Sequence, residues 1–108
     1  MTTPKQPNII FCFTDQQKAT SLDTYQQDCS AIRAANFERI TQAGTLFEAA
    51  YCAYPLCLPS RIATMTGRYP SASGYIGNGP WLDPEAPCLQ TQLKAQGYMN
   101  YLAGKDHC

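Results

Sequence analysis

The sequence lacks a long apolar run and an excess of either charge. No stretch reaches the ~18 apolar residues of a transmembrane helix, so a membrane span is not expected. Lys and Arg number 8, as do Asp and Glu, so electrostatics give no reason to expect nucleic acid or an anionic membrane as a partner. The first residues lack a basic segment followed by an apolar one, so no signal peptide is predicted and a cytoplasmic location is expected.

The usual zinc-binding patterns are also lacking. The chain has 1 His and 6 Cys, and no two of these cysteines form a C-x-x-C pair. Without a signal for secretion, we expect most cysteines to be reduced and structural. Cys12, for example, lies in an apolar run where a small hydrophobic side chain fits. Trp81 and the tyrosines are expected to be packing or loop residues.

The apolar pattern predicts alternating strands and helices. Predicted strands cover 8–14, 45–51 and 98–103, and predicted helices cover 36–43, 59–65 and 89–96. This order indicates an α/β fold with a mainly parallel sheet flanked by helices. Gly44, Gly67 and Gly97 are expected to end the helices, and 69–88 to form a loop. Because so few strands make a thin sheet, we expect 1–108 to be one partial domain from the N-terminal part of a longer protein.

Polar residues follow two of the predicted strands. Asp15 and Gln16 come after the first, and Lys105 and His107 after the last. Parallel strands would bring both groups to one edge of the sheet, where ligands bind in open α/β folds. A carboxylate beside an amide oxygen suits a hard cation such as Ca²⁺ or Mg²⁺.

Between these groups, Cys57 and Arg61 lie at the start of a predicted helix. The N-terminus of a helix attracts anions, and Arg61 adds a planar cation with several donors. Lys105 adds a second cation that can reach an oxyanion. Together with a metal and a nucleophile, these groups indicate a site for a tetrahedral oxyanion such as sulfate or phosphate.

The sequence resembles the type I sulfatases of the alkaline phosphatase-like superfamily. Four segments carry the resemblance in the family order: Pro7 to Gln17, Asn36 to Gly44, Cys57-Leu58-Pro59-Ser60-Arg61 with Thr66 to Pro70, and Leu93 to His107. The third contains the C-x-P-S-R signature, which the formylglycine-generating enzyme reads when it oxidises the cysteine. Four motifs in register make the resemblance specific.

The resemblance implies an alkaline phosphatase-like fold and a sulfuric ester hydrolase that acts on small-molecule sulfate esters. Cys57, as formylglycine, would hydrate to a diol; one hydroxyl would attack sulfur, and the other would expel sulfate. Arg61, Lys105 and His107 would be catalytic, with Asn78 and Lys105 contacting the substrate. Asp15, Gln16 and the modified Cys57 would bind the divalent metal, Ca²⁺ first, with Mn²⁺ or Mg²⁺ as alternatives.

Two features depart from the family pattern. Asp106 replaces the usual Trp between Lys and His, and Ala34-Ala35 replaces the Thr-Pro that commonly precedes the first helix. The family's later metal ligands are not found in this sequence. Two alternatives therefore stay open, namely a phosphonate monoester or phosphodiester hydrolase of the same superfamily, and a non-catalytic fragment or pseudoenzyme. The sequence does not indicate an oligomeric state.

Overall fold

A computed structural model describes residues 6–22 and 34–107. The chain divides into two units, Met1–Leu46 and Phe47–Cys108. The first contains a short 3-10 helix, Ala19–Ser21, and helix α1, Ala35–Ala43. The second contains helices α2, Cys57–Thr66, α3, Pro70–Ser73, and α4, Leu89–Ala95.

Helix α2 is the central element of the second unit. Leu58, Pro59 and Ile62 are the largest fully buried side chains of the described part of the chain. Leu58 and Ile62 are four positions apart and therefore lie on the same face of the helix. Helix α2 contacts both α3 and α4, so the buried face of α2 organises the packing of this unit.

The ends of the helices explain the positions of their glycines. Gly67 follows α2 in the left-handed region, with φ of 67°, and its N–H donates to the carbonyl of Ala63, as predicted. Gly97 follows α4 with φ of 86°. Gly44 ends α1 as predicted, but with φ of −130° it does not adopt the left-handed conformation expected of a glycine at a helix end. A Cβ at Gly44 would lie 3.2 Å from the carbonyl oxygen of Ile40, so close approach of the backbone explains this glycine.

The predicted sheet is not formed among residues 6–22 and 34–107, which contain helices but no strands. The three segments predicted as strands lie outside the helices, and none is assigned as a strand among these residues. A strand requires hydrogen bonds to a neighbouring strand, and apolar sequence alone cannot supply them. The side chains are correspondingly uncovered, with Ile10 85% and Tyr101 85% exposed.

The described cysteines Cys12, Cys52, Cys57 and Cys88 are free. That the cysteines of the protein are reduced stays a prediction. Cys29 and Cys108 lie outside the described residues. Cys12 is exposed, so its expected role as a small buried side chain is not observed. Across the described ranges, no helix is long and apolar enough to cross a membrane. The cytoplasmic location stays a prediction.

Candidate active site in the second unit

Cys57 is the first residue of α2. Leu56 before it has an extended backbone and provides no side-chain cap, and the first turn contains no acidic residue. The backbone N–H groups at this end carry partial positive charge that no carboxylate of the turn offsets. The half-buried Cys57 side chain therefore lies in a setting that favours an anion, and its predicted place at a helix start is confirmed.

Asn78 is the side chain in hydrogen-bonding contact with Cys57. The distance from Cys57 Sγ to Asn78 Oδ1 is 3.5 Å, and the thiol is the donor. Asn78 is exposed and lies between Gly77 and Gly79 in the segment after α3. The structure thus brings together the predicted nucleophile and the predicted substrate-contacting residue, although they are 21 positions apart in the chain.

Arg61 connects α2 to the segment that contains Lys105. Its side chain is only 7% exposed, and Nη1 donates to the carbonyl oxygen of Lys105 at 3.1 Å. A buried guanidinium needs such partners because removing its charge from water is costly. Arg61 lies one helical turn after Cys57, so this bond fixes the backbone of Lys105 relative to the helix that bears Cys57. The Lys105 residue itself is exposed.

His107 is half-buried and packs against Trp81. The two ring centroids are 5.4 Å apart, and the ring planes make an angle of 66°. Nδ1 of His107 is buried and has no hydrogen-bond partner among the residues that the structure describes. The sequence predicts Trp81 as a packing or loop residue but does not indicate His107 as its neighbour. The available signal was the position of the only tryptophan in a loop rich in proline and glycine.

Asp15 and Gln16 belong to the first unit. Both are exposed, and Gln16 has φ of 54°, a left-handed conformation that non-glycine residues adopt infrequently. A carboxylate and an amide oxygen fit the ligand chemistry of a hard divalent cation. Within 6–22 and 34–107, no group of three or more His, Cys, Asp and Glu side chains could hold a metal ion. Asp15 and Gln16 therefore fit as part of a ligand set, and their placement beside Cys57 stays a prediction.

Comparison with known proteins places the chain in a family. The Sulfatase family model matches residues 7–108, nearly the whole sequence. The chain belongs to the sulfatase family. Membership implies an alkaline phosphatase-like α/β fold for the protein, while the sheet itself stays a prediction.

Relatives in the sulfatase family come from bacteria and mammals. The chain is 31% identical over 104 residues to an ulvan-active sulfatase of Formosa agariphila, covering 96% of this chain and 20% of the relative. It is 32% identical to the N-acetylgalactosamine-6-sulfatase of Sus scrofa, covering 96% and 22% of the two chains. It is 33% identical to the human steryl-sulfatase, covering 94% and 19%.

The chain thus spans about a fifth of the length of these sulfatases. No solved structure matches it at a significant level.

Proposed function

We propose that the complete protein is a sulfuric ester hydrolase whose nucleophile is a formylglycine made from Cys57 by a formylglycine-generating enzyme. The observation that carries the proposal is the position of Cys57 at the first residue of α2, 3.5 Å from Asn78, within a chain that belongs to the sulfatase family. The names of the relatives, all sulfatases, favour sulfate esters over phosphonate esters as substrates.

The residues around Cys57 support distinct roles in this reaction. The N–H groups at the start of α2 favour the negative charge of a bound sulfate ester. Asn78 is proposed to contact the substrate, which its hydrogen bond with the Cys57 side chain supports. Arg61 supplies a fixed positive charge and holds the Lys105 backbone. Lys105 contacts the sulfate oxygens as a second cation, and His107 orients the reacting group by hydrogen bonding.

Asp15 and Gln16 are proposed to hold a divalent cation, with Ca²⁺ the first choice and the modified Cys57 a further ligand. When bound, the cation supplies charge stabilisation for the sulfate oxygens and the nucleophile. Asp15 contributes a full negative charge and Gln16 a neutral oxygen, both of the hard type that Ca²⁺ prefers. Since Ca²⁺ takes ~6–8 oxygen ligands, the rest of its shell must come from other groups.

The proposed modification predicts a defined change in mass. When the complete protein is produced together with a formylglycine-generating enzyme, the peptide containing Cys57 should lose about 18 Da, the difference between thiol and aldehyde. Cys57→Ala should abolish hydrolysis of an aryl sulfate. Cys57→Ser should retain little, because a serine hydroxyl cannot release sulfate by reforming an aldehyde. Peptide mass spectrometry and initial rates measure these effects.

Cys52→Ala is the matched control, since Cys52 is an exposed free thiol in the segment before α2. It should keep both the mass change at Cys57 and the activity. An active enzyme with an unmodified Cys57 would contradict the formylglycine nucleophile. Faster hydrolysis of an aryl phosphonate than of the matching aryl sulfate would contradict the sulfatase assignment.

A further inference from the structure

Trp81 lies against the ring of His107 although it contributes little to the core. Its side chain is 60% exposed, so burial of the indole does not account for its position. The indole meets the imidazole edge to face at 5.4 Å, an arrangement that aromatic rings prefer. The contact therefore joins the chain's only tryptophan to its only histidine.

The His107 ring lacks the usual means of fixing its orientation. An imidazole that acts through one nitrogen is normally held by a hydrogen bond at the other. Nδ1 of His107 is buried but accepts or donates no hydrogen bond within the described part of the chain. The residue also has φ of 54°, a conformation that persists where the surroundings enforce it. The indole ring is the neighbour that the structure places against the imidazole.

The segment that bears Trp81 is itself held in place. The backbone N–H of Asp83 donates to the hydroxyl of Tyr75 at 3.3 Å. The N–H of Glu85 donates to Oδ1 of Asp83 at 2.9 Å, which closes a turn. Trp81 is two residues from the first of these bonds, so the backbone that carries the indole is anchored nearby.

We propose that Trp81 is a positioning residue that sets the orientation of the His107 imidazole. The inference rests on the proposed function in giving His107 a role in catalysis. Trp81 does not act on the substrate itself; it limits the rotamers of the ring that does. Loss of the indole should slow the chemical step more than it weakens substrate binding, since a small misplacement of a catalytic group lowers the rate strongly.

The contact is tested by NMR on the complete protein carrying isotope-labelled histidine, with the His107 signal assigned by its loss in His107→Ala. The wild-type spectrum should show a nuclear Overhauser effect between indole and imidazole protons. Trp81→Ala should remove it and shift the His107 ring signals, because the ring current is lost. Leu82→Ala is the control: it shortens the side chain next to Trp81 in sequence but keeps the indole, so the nuclear Overhauser effect should remain. Unmoved His107 signals in Trp81→Ala would overturn the proposal.

Kinetics test the positioning role. Trp81→Ala should lower kcat for an aryl sulfate by about 10- to 100-fold with a much smaller change in KM. Trp81→Phe keeps an aromatic ring at this position and should retain most of the wild-type kcat. If the wild-type enzyme hydrolyses the aryl sulfate and Trp81→Ala has the same kcat, the positioning role of Trp81 is overturned and the proposed function is not. If the wild-type protein hydrolyses no sulfate ester, the proposed function is overturned, and the catalytic role of the Trp81–His107 contact with it.

Discussion

Gln16 and His107 share an infrequent backbone conformation. Among residues 6–22 and 34–107, they are the two non-glycine residues with positive φ, each at 54°. Such conformations cost of order 1–3 kcal/mol and tend to occur at functional sites, where the surroundings enforce them. The family resemblance predicts both residues to belong to the site on other grounds, His107 as a catalytic group and Gln16 as a metal ligand. Their backbone geometry is therefore an independent reason to regard both turns as functional.

At the same scale, the charge of Asp15 can be tested by replacement. In the complete protein, Asp15→Asn should weaken Ca²⁺ binding, because a full negative charge is lost from a site for a hard cation. Sulfate ester hydrolysis should fall by orders of magnitude, since charge stabilisation by a metal is worth several kcal/mol. Metal content by mass spectrometry and initial rates across a Ca²⁺ titration measure both effects.

Asp83→Asn is the control for Asp15→Asn. It removes one negative charge elsewhere but keeps an oxygen that can accept the N–H of Glu85. It should leave metal content and rate unchanged. Wild-type metal affinity and rate in Asp15→Asn would remove Asp15 from the proposed site.

At the scale of the element, α2 serves both the core and the site. Leu58 and Ile62 are 0% exposed, while Cys57 and Arg61 of the same helix make the contacts to Asn78 and Lys105. The packing of one face therefore fixes the axial position and rotation of the side chains that carry the proposed chemistry.

Shortening a buried side chain of α2 should lower the free energy of unfolding, because these side chains form the core of the second unit. Ile62→Ala should lower the free energy of unfolding by about 2–5 kcal/mol, and Ile62→Val by about 0.5–1.5 kcal/mol, because each leaves unfilled space in the core. Thr64→Ala on the exposed face of α2 should stay within about 0.5 kcal/mol of wild type. Urea unfolding of the complete protein measures the three differences. Equal stability of Ile62→Ala and Thr64→Ala would show that α2 is not a core element.

Local signals explain which elements could be predicted. Gly67 marked the end of α2 correctly, because only a residue without Cβ adopts its φ of 67° at little cost. The start of α2 was placed two residues late, at Pro59, because proline favours the first turn; Pro59 is in fact the third residue of the helix. The loop over 69–88 was predicted, but the short helix α3 within it was missed. Sheet formation depends on distant partners, which a local pattern does not specify.

For the site, residue identity could be predicted but pairing could not. Cys57, Arg61, Lys105, His107 and Asn78 were all selected from the sequence, through the helix start and the family motifs. The hydrogen bond from Arg61 ends on the backbone carbonyl of Lys105. Every residue has such a carbonyl, so the sequence does not indicate which one Arg61 contacts. The Trp81–His107 contact depends on the path of the intervening chain, for which the sequence provided only turn residues.

At the scale of the whole molecule, the apolar segments outside the helices are the dominant feature. Ile10 is 85% exposed in the first unit, and Met99 and Tyr101 are 79% and 85% exposed in the second. Large apolar side chains left in contact with water, on segments with strand-like sequence, favour association through unpaired backbone edges. The relatives, about five times as long as this chain, contain further sequence that could cover such segments.

Residues 1–108 produced alone should therefore associate and lack sulfatase activity, even with Cys57 modified and Ca²⁺ or Mn²⁺ added. Asp15 and Gln16 supply too few ligands to hold Ca²⁺ tightly. Size-exclusion chromatography, thermal unfolding and aryl sulfate hydrolysis test this expectation, with the complete protein as the active control. A monomer with a cooperative transition and metal-dependent turnover would contradict it and would require the remaining ligands to lie within 1–108.

The hydrogen bond between Arg61 and the Lys105 carbonyl can form only after the ribosome has added Lys105. Its two ends are 44 positions apart, and translation adds ~5–20 residues per second, so Arg61 is made about 2–9 s before Lys105, and Cys57 slightly earlier still. A helix of ten residues forms in about a microsecond or less but is marginal without tertiary partners. For those seconds the segment around Cys57 lacks the contact between Arg61 and Lys105, so the helix that begins at Cys57 can open and close more freely than in the folded protein.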